Sequence, residues 1–345
     1  MNIKIGVLVA LSAFAVSPAS GQSKTSRSPQ QQGSHAHQGI QAVGTANYIT
    51  KFTSRVAIGN LGIVEARGNL TTTESLTVGG GGAQASVGSS LTMQGYVLYD
   101  NFSSGHIDPS KWVGEPASLV TASDKDRREV AVEVVGEDES RRLRISETTY
   151  SAISDNDGSS GYGFGLGFAN PSQITAVSFT LTVNKEKNPG CPGYPDNLAF
   201  TSVGFFGDYF NPLPPQNGQT GDIVVSTSVS NFSFNTGTDL EVAASISQCQ
   251  DPVCAGQTTL SIQTLGYVKP GSTNTLSAKW DRANHQFVFG LNDNPPVALG
   301  YTVSDNFPPG SSDKSFFVFG QVPHCTAMPR PVASLDTLFG NVYVK

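Results

Sequence analysis

Alternating apolar and polar residues run through the C-terminal part of this 345-residue chain. In each run the apolar positions recur every second residue, which is the period of a half-buried strand in an antiparallel sheet. The clearest runs lie at residues 177–183, 240–246, 276–280 and 287–291. No run keeps a helical period for more than two turns, so the pattern predicts an all-β domain.

Turn-forming residues separate these runs at short intervals. Clusters of Gly, Pro, Asn and Asp stand at residues 188–190, 212–218, 269–271, 292–296 and 307–310. Short strands with regular turn signals are typical of a β-sandwich, which can reach roughly 200–250 residues as one unit. We therefore predict an antiparallel β-sandwich that begins near Gly95.

The N-terminal residues have the features of an export signal. Lys4 precedes an apolar run over residues 5–16, and Gly21 and Gln22 flank a suitable cleavage site. The apolar run is too short to cross a bilayer, and no second long apolar run follows. We expect residues 1–21 to be a signal peptide, residues 22–43 a disordered linker, and the protein to be secreted or on a bacterial cell surface without a membrane span.

The charge of the chain indicates which classes of partner it is unsuited to bind. Charged residues make up 14% of the chain, against an average of about 25%. The net charge is −6 and the isoelectric point is near 5.3. Because no basic surface is implied, nucleic acid and anionic membranes are poor candidates as partners.

Four cysteines, an even number in an exported chain, predict two disulfides with three possible connectivities. Cys249 and Cys254 flank a turn that starts at Asp251-Pro252, so we favour this pair, which leaves Cys191 with Cys325. A zinc site would need a second close Cys/His pair, and the sequence has none beside Cys249 and Cys254.

Residues 44–80 resemble the repeats of bacterial and phage tail fibres. The resemblance rests on Ala46-Asn47-Tyr48-Ile49-Thr50-Lys51-Phe52, Ile58-Gly59-Asn60 and Ser75-Leu76-Thr77-Val78-Gly79. Thr50 stands where those repeats usually have Pro. The resemblance implies a β-rich stalk-like segment over residues 44–95, ending in a Gly-rich hinge, and a homotrimer formed through residues 44–80.

Four motifs of the larger domain follow a known family pattern: Tyr99-Asp100-Asn101-Phe102, Ile107-Asp108-Pro109-Ser110-Lys111-Trp112, Trp280-Asp281 with Phe287 and Phe289, and Phe339-Gly340-Asn341-Val342-Tyr343-Val344. The domain resembles the concanavalin A-like jelly-roll superfamily of laminarinases, legume lectins and LamG modules, although Gly340 replaces the usual Asp. The resemblance covers residues 96–345 and implies an antiparallel jelly-roll β-sandwich in which Trp280 packs between two sheets. The order of the cysteines and Trp280-Asp281 is similar to that in uncharacterised exported bacterial proteins of this fold.

Laminarinase-type enzymes carry a Glu-x-Asp-x-Glu strand, whose glutamates act as nucleophile and acid/base. Glu129-Val130-Ala131-Val132-Glu133 keeps both glutamates, but Ala131 replaces the aspartate and the strand comes early in the domain. No other nucleophile motif such as Gly-x-Ser-x-Gly is present. The alternative to a catalytic strand is a strand with an exposed polar face, and we favour that alternative.

Two further segments are candidates for ligands. Asp155 and Asp157 resemble half of a calcium loop without its bidentate acid, so a structural calcium ion is conceivable, but a plain turn is favoured; no other cofactor is expected. The glycine-alternating segment that follows, residues 161–167, is interpreted as a flexible or tightly turning β segment. Tyr209, Phe210 and Asn211 end the densest aromatic stretch and form a candidate sugar platform, although Phe205 with either Tyr209 or Phe210 filling the core is the favoured interpretation.

Two functions from different classes remain. The first is a non-catalytic recognition protein that binds an extracellular glycan or acts as a surface adhesin. The second is a polysaccharide-degrading glycoside hydrolase of the same superfamily. A purely structural extracellular domain is a third alternative.

Overall fold

The computed structural model describes residues 63–66, 69–72, 95–114, 119–122, 126–154, 159–191, 199–214, 218–233 and 237–345. These residues belong to two units that divide between Gly95 and Tyr96. In the first unit, β1 (Ile63–Ala66) and β2 (Asn69–Thr72) form an antiparallel hairpin inside the segment predicted to be stalk-like. The predicted cleavage site at Gly21 and Gln22, and the calcium candidates Asp155 and Asp157, lie outside the described residues. The homotrimer stays a prediction.

The second unit contains two antiparallel sheets. The seven-stranded sheet consists of β4 (Trp112–Val113), β8 (Ser159–Phe168), β10 (Phe200–Phe210), β11 (Ile223–Phe232), β12 (Leu240–Cys249), β13 (Gln257–Val268) and β17 (Lys314–Pro323). Its strand order is β13-β12-β11-β10-β17-β8-β4.

The nine-stranded sheet faces it. Its strands are β3 (Val97–Asp100), β5 (Leu119–Ala122), β6 (Asp126–Val135), β7 (Arg142–Ser151), β9 (Ala176–Lys187), β14 (Thr273–Asp281), β15 (Gln286–Leu291), β16 (Val297–Gly300) and β18 (Val332–Val344). The order is β16-β15-β14-β9-β18-β7-β6-β5, and β3 pairs with β18.

The chain changes sheets repeatedly, for example from β8 to β9, from β9 to β10 and from β13 to β14. Both sheets bury one face against the other, so the unit is a β-sandwich with jelly-roll connections. The predicted all-β jelly-roll class is confirmed. Helical structure among the described residues is limited to three single 3-10 turns, at Asp138–Ser140, Pro171–Gln173 and Arg282–Asn284. Within the described part of the chain, no helix has the length and apolar character needed to cross a bilayer.

The apolar residues of the alternating runs form the core between the sheets. Phe179 and Phe339 of the nine-stranded sheet contact Phe316 of the other sheet, with ring centroids 4.7 and 4.5 Å from that of Phe316. Trp280 is half-buried and stacks on Phe210 across the sandwich, with centroids 5.4 Å apart and planes at 16°. The packing expected for Trp280 from the family resemblance is therefore confirmed.

The opening motif of the domain builds a buried polar anchor. Asp100 accepts hydrogen bonds from the backbone N–H of Phe102 and from Nε1 of Trp112, each at 2.8 Å. Phe102 and Trp112 are both buried, and their rings stack. The carboxylate therefore satisfies two buried donors, and the start of the domain is tied to its core.

Both predicted disulfides are present: Cys191 is bonded to Cys325, and Cys249 to Cys254. The first joins the chain just after β9 to the loop that follows β17. The second closes a short turn between β12 and β13. The favoured connectivity is confirmed.

Candidate functional site

The seven-stranded sheet turns one side away from the core, and we call this side the outer face. Strand β8 presents Gly161, Gly163, Gly165 and Gly167 to it, because alternate residues of a strand share a face. All four have ordinary negative φ angles, and β8 is a regular strand of ten residues. The β character expected of this segment is confirmed, but the segment makes no tight turn. The missing side chains instead leave room for rings from the neighbouring strand.

One end of the outer face has a wall of aromatic rings, which we call the first wall: Phe200, Phe232 and Phe319. The centroid of Phe200 lies 5.6 Å from that of Phe232 and 5.0 Å from that of Phe319. The Phe319 ring lies over β8, where a Cβ added to Gly161 would come within 2.7 Å of it. Phe200 and Phe232 are half-buried, so part of each ring surface remains open to solvent.

The second wall stands toward the other end of the face. Phe206 is half-buried and packs on a small cluster of Val224 with Cys249 and Cys254. The Cys249–Cys254 disulfide therefore supports an outward-facing ring as well as closing its own turn.

Between the walls lies a trough floored by serine hydroxyls. The hydroxyls of Ser202 and Ser230 are 2.8 Å apart, as are those of Ser226 and Ser245. Ser202, Ser230 and Ser245 are 1%, 7% and 5% exposed and Ser226 is half-buried, so Ser226 is the most accessible of the four. The floor consists of outward residues of β10, β11 and β12, which alternate with apolar residues that face the core.

Phe317 stands beside this trough. Its partners on the two adjoining strands are both glycines, Gly165 on β8 and Gly204 on β10. Because neither partner has a side chain, the Phe317 ring is flanked by bare backbone. It is half-buried, which leaves part of the ring exposed beside the trough.

The outer face is poor in charge. Among the described residues of its strands, the acidic and basic side chains that point outward are those of Glu241 and Asp208. Glu241 pairs with Ser230 and Asp208 with Val224, six residues apart along β11, or roughly 20 Å at about 3.3 Å per residue. Glu241 accepts a 2.6 Å hydrogen bond from the Thr264 hydroxyl.

Asp208 is fully buried at the end of β10. Gln219 donates to its Oδ2 at 3.0 Å, while its Oδ1 has no hydrogen-bond partner in the structure. Burial, together with smaller effects of the nearby carboxylates of Asp222 and Asp313, raises the pKa of this carboxyl to about 8. The carboxyl is therefore largely protonated at neutral pH.

The ammonium of Lys314 lies close by. It is buried, donates a 2.7 Å hydrogen bond to the backbone oxygen of Asp208, and lies 4.5 Å from the ring centroid of Tyr209. Burial lowers its pKa to about 8. These contacts hold the start of β17 against β10.

The predicted sugar platform is wrong in its residues. Tyr209, Phe210 and Asn211 are 5%, 1% and 0% exposed, so their side chains are closed to any ligand. The two rings pack against Phe287, and Asn211 donates to Asp222 at 2.8 Å. The favoured alternative, with Phe205 and these rings in the core, is correct.

Glu129 and Glu133 lie on the opposite side of the molecule, on the solvent face of the nine-stranded sheet. Glu129 pairs with Arg127, and Glu133 with Arg144 at 3.0 Å. Arg144 also binds Asp336 at 2.7 Å. The two glutamates belong to an exposed polar face, as the favoured interpretation predicted.

The side chain of Arg128 connects the two sheets, and burial raises the pKa of its neighbour Glu147 to about 8. Arg128 of β6 lies 3.5 Å from Glu147 of β7 and also donates to the carbonyl of Gly163 on β8. Glu147 is fully buried, and Arg128 nearly so. No cluster of three His, Cys, Asp or Glu residues able to hold a metal is found within the described ranges.

Sequence reasoning missed the rings of the outer face. The available signal was the glycine alternation in residues 161–167, together with the phenylalanines at 317 and 319, spaced by two like the glycines. Strand pairing is needed to see that these two patterns adjoin, because β8 and β17 are about 150 residues apart in sequence.

No family model matches the sequence, and no curated protein matches it. Three similar solved structures are an endo-glucanase of glycoside hydrolase family 16 from Bacteroides ovatus, a laminarinase from Flavobacterium sp. UMI-01 and the carbohydrate binding module CBM66 from Bacillus subtilis. The first has 8% identity over 72% of this chain and 98% of its own, with a TM-score of 0.35. The second has 9% identity over 72% and 97%, also at 0.35, and the third 7% over 68% and 96%, at 0.26. At these TM-scores the similarities carry no argument about function.

Proposed function

We propose that this chain is an exported, non-catalytic recognition protein that binds a neutral glycan, as a surface adhesin would, across the outer face of its seven-stranded sheet. The observation that carries this proposal is the composition of that face: half-buried aromatic rings stand around a floor of small serine residues, with almost no charge. Sugars offer the matching chemistry, since their C–H faces stack on rings and their hydroxyls both donate and accept hydrogen bonds.

The scarcity of charge favours a neutral ligand over an acidic one. Uronic or sulfated sugars are usually bound by Arg or Lys, which pair with the anionic group. The outward residues described for β10, β11 and β12 include neither Arg nor Lys. Ser, Gly and Phe at these positions suit a polymer held by stacking and neutral hydrogen bonds.

Binding without cleavage is favoured by the separation of the carboxylates. Glycosidases that use two carboxylates hold them about 5–10 Å apart across the scissile bond. Asp208 and Glu241 are separated by roughly twice that distance, and Asp208 is closed to solvent. No pair on the described outer face therefore meets the geometric requirement of that reaction.

The test is affinity electrophoresis of the purified protein in gels that contain laminarin, mixed-linkage β-glucan or xyloglucan, with polygalacturonate as the acidic comparison. We expect at least one neutral polymer to retard the protein and polygalacturonate to have no effect. Unchanged migration with every neutral polymer tested would sink the proposal for those glycans. Release of reducing sugar from a retarding polymer would favour the hydrolase instead.

Phe317→Ala is the variant that locates the site. Burying a phenylalanine ring contributes about 1.5–3 kcal/mol, so we expect its loss to weaken binding by at least about tenfold. Tyr150→Ala is the matched control, because Tyr150 is a half-buried aromatic residue on the solvent side of the nine-stranded sheet. Equal affinities of the two variants would place the ligand elsewhere.

A further inference from the structure

The two sheets have four outer edges, and three of them are short. Strands β4, β5 and β16 at those edges contain two, four and four residues. The fourth edge is β13, with twelve residues, and no strand among the described residues pairs with its outer side. Short edge strands prevent unwanted pairing between chains, and β13 lacks this protection.

Strand β13 also lacks the charged residues and prolines that usually stop an edge strand from pairing with another chain. Between Gln257 and Val268 there is no Lys, Arg, Asp, Glu or Pro. Leu260, Ile262 and Tyr267 are 41%, 45% and 65% exposed. A long, uncharged edge strand with exposed apolar side chains is a template for the addition of another strand.

We propose that β13 pairs with β13 of a second copy of this chain, in antiparallel orientation around a two-fold axis. The absence of charged residues from β13 favours a second copy of this chain as the partner. Self-pairing around a two-fold brings like residues together, so any charged residue near the axis would face its own copy, and here there is none. Register shifts against β12 flank residues 261–264, which are regularly paired and contain Ile262. We place the axis in this stretch.

The arrangement has a consequence for binding. A two-fold axis perpendicular to the sheet joins two seven-stranded sheets into one continuous sheet. Both outer faces then lie on the same side. If the outer face binds a polymer, as proposed above, the dimer presents two such faces to one surface and gains avidity without new contacts. The pairing itself does not depend on that function.

The test is sedimentation velocity of the full chain from 5 to 200 µM, combined with hydrogen exchange at both ends of this range. We expect concentration-dependent dimers and slower exchange of the amides of residues 257–268 at the higher concentration. Ile262→Lys, which sets two ammonium groups against each other near the axis, is expected to weaken association by on the order of tenfold or more.

Leu213→Lys is the matched control, because Leu213 is 53% exposed and lies outside β13. This variant should associate like the original chain. Leu260→Lys is a second edge variant in case Ile262→Lys impairs folding, which circular dichroism reports. Assembly that both edge variants leave unchanged, a monomer throughout the range, or exchange in β13 that is independent of concentration would each overturn the proposal. The two proposals fail separately: a chain that dimerises but that no neutral glycan retards overturns only the proposed function, and a monomeric chain that a neutral glycan retards overturns only the pairing.

Discussion

Gly161 and Gly165 occupy the same face of the same strand, yet their surroundings differ. A Cβ at Gly161 would lie 2.7 Å from the Phe319 ring, which the first wall holds in place. A Cβ at Gly165 would meet Ser315 at 3.4 Å, an ordinary contact. The glycine at 161 is therefore required by packing, whereas the glycine at 165 keeps the surroundings of Phe317 open.

This difference predicts opposite effects of the same substitution. Gly161→Ala should lower the free energy of unfolding by about 1–3 kcal/mol, because the buried ring must move. Gly165→Ala should be neutral or stabilising by a few tenths of a kcal/mol, since alanine loses less backbone entropy in a strand. Urea unfolding of both variants measures this. Equal destabilisation of the two would contradict the role given to Phe319.

Asp208 gives the stability of the protein a pH dependence of known sign. Its pKa is raised to about 8 in the folded protein, against about 3.9 in an unfolded chain. The folded state keeps the proton that the unfolded state releases above pH 4. The stabilisation that protonated Asp208 adds to the free energy of unfolding is therefore complete below about pH 4, and it is lost as the pH rises to about 8. Lys314, with its pKa lowered to about 8, is charged in both states below that pH and does not alter this window.

Replacing Asp208 with Asn removes the titrating group and keeps its shape. We expect the free energy of unfolding of the original chain to fall between pH 5 and 8, by up to about 1.4 kcal/mol per pH unit from this group. The difference between Asp208→Asn and the original chain should then grow in favour of the variant as the pH rises. Urea unfolding at pH 5, 6.5 and 8 reports it. A difference that stays constant with pH would show that Asp208 is ionised in the fold.

At the scale of the strand, the sequence predicts which residues face the core only where the other face of the strand is polar. In β12 the apolar residues from Leu240 to Ile246 alternate with Glu, Ala and Ser, and the strand was predicted correctly. In β10 both faces carry phenylalanine, with Phe205 inward and Phe206 outward. The period-2 signal is lost there, so the sequence alone could not separate core rings from surface rings. That is why Tyr209 and Phe210 were named as candidates for a platform, although the core was the favoured interpretation, while Phe200 and Phe206 were not named as candidates.

At the scale of the whole molecule, the two disulfides differ in the length of chain they close. Cys191 and Cys325 are 134 residues apart, and Cys249 and Cys254 only 5. The chain-entropy treatment then assigns about 5 kcal/mol to the first and about 2 kcal/mol to the second. The long bridge ties the end of β17 to the chain that leaves β9, so it restrains both sheets.

We expect the double variant Cys191→Ser/Cys325→Ser to lose more stability than Cys249→Ser/Cys254→Ser, by roughly 2–3 kcal/mol on that treatment. The second variant should instead weaken glycan retardation, because its bridge supports Phe206. Thermal unfolding and the electrophoresis assay together check both statements. The reverse order of stabilities would show that local strain or packing outweighs chain entropy.

The amino-acid sequence by itself determined the class of this protein. Period-2 runs with frequent turns allow only strands, and the turn at Asp251-Pro252 favours Cys249 with Cys254, which leaves Cys191 for Cys325. The outer face depended on the tertiary structure. Its floor, its walls and its near absence of charge come from β8, β10, β11, β12 and β17, which are adjacent only after the chain has crossed between the sheets. The local pattern of apolar and polar residues indicates which residues can be buried, because burial follows from side-chain chemistry. It does not report which exposed residues become neighbours, because strand order is set by packing across the whole core.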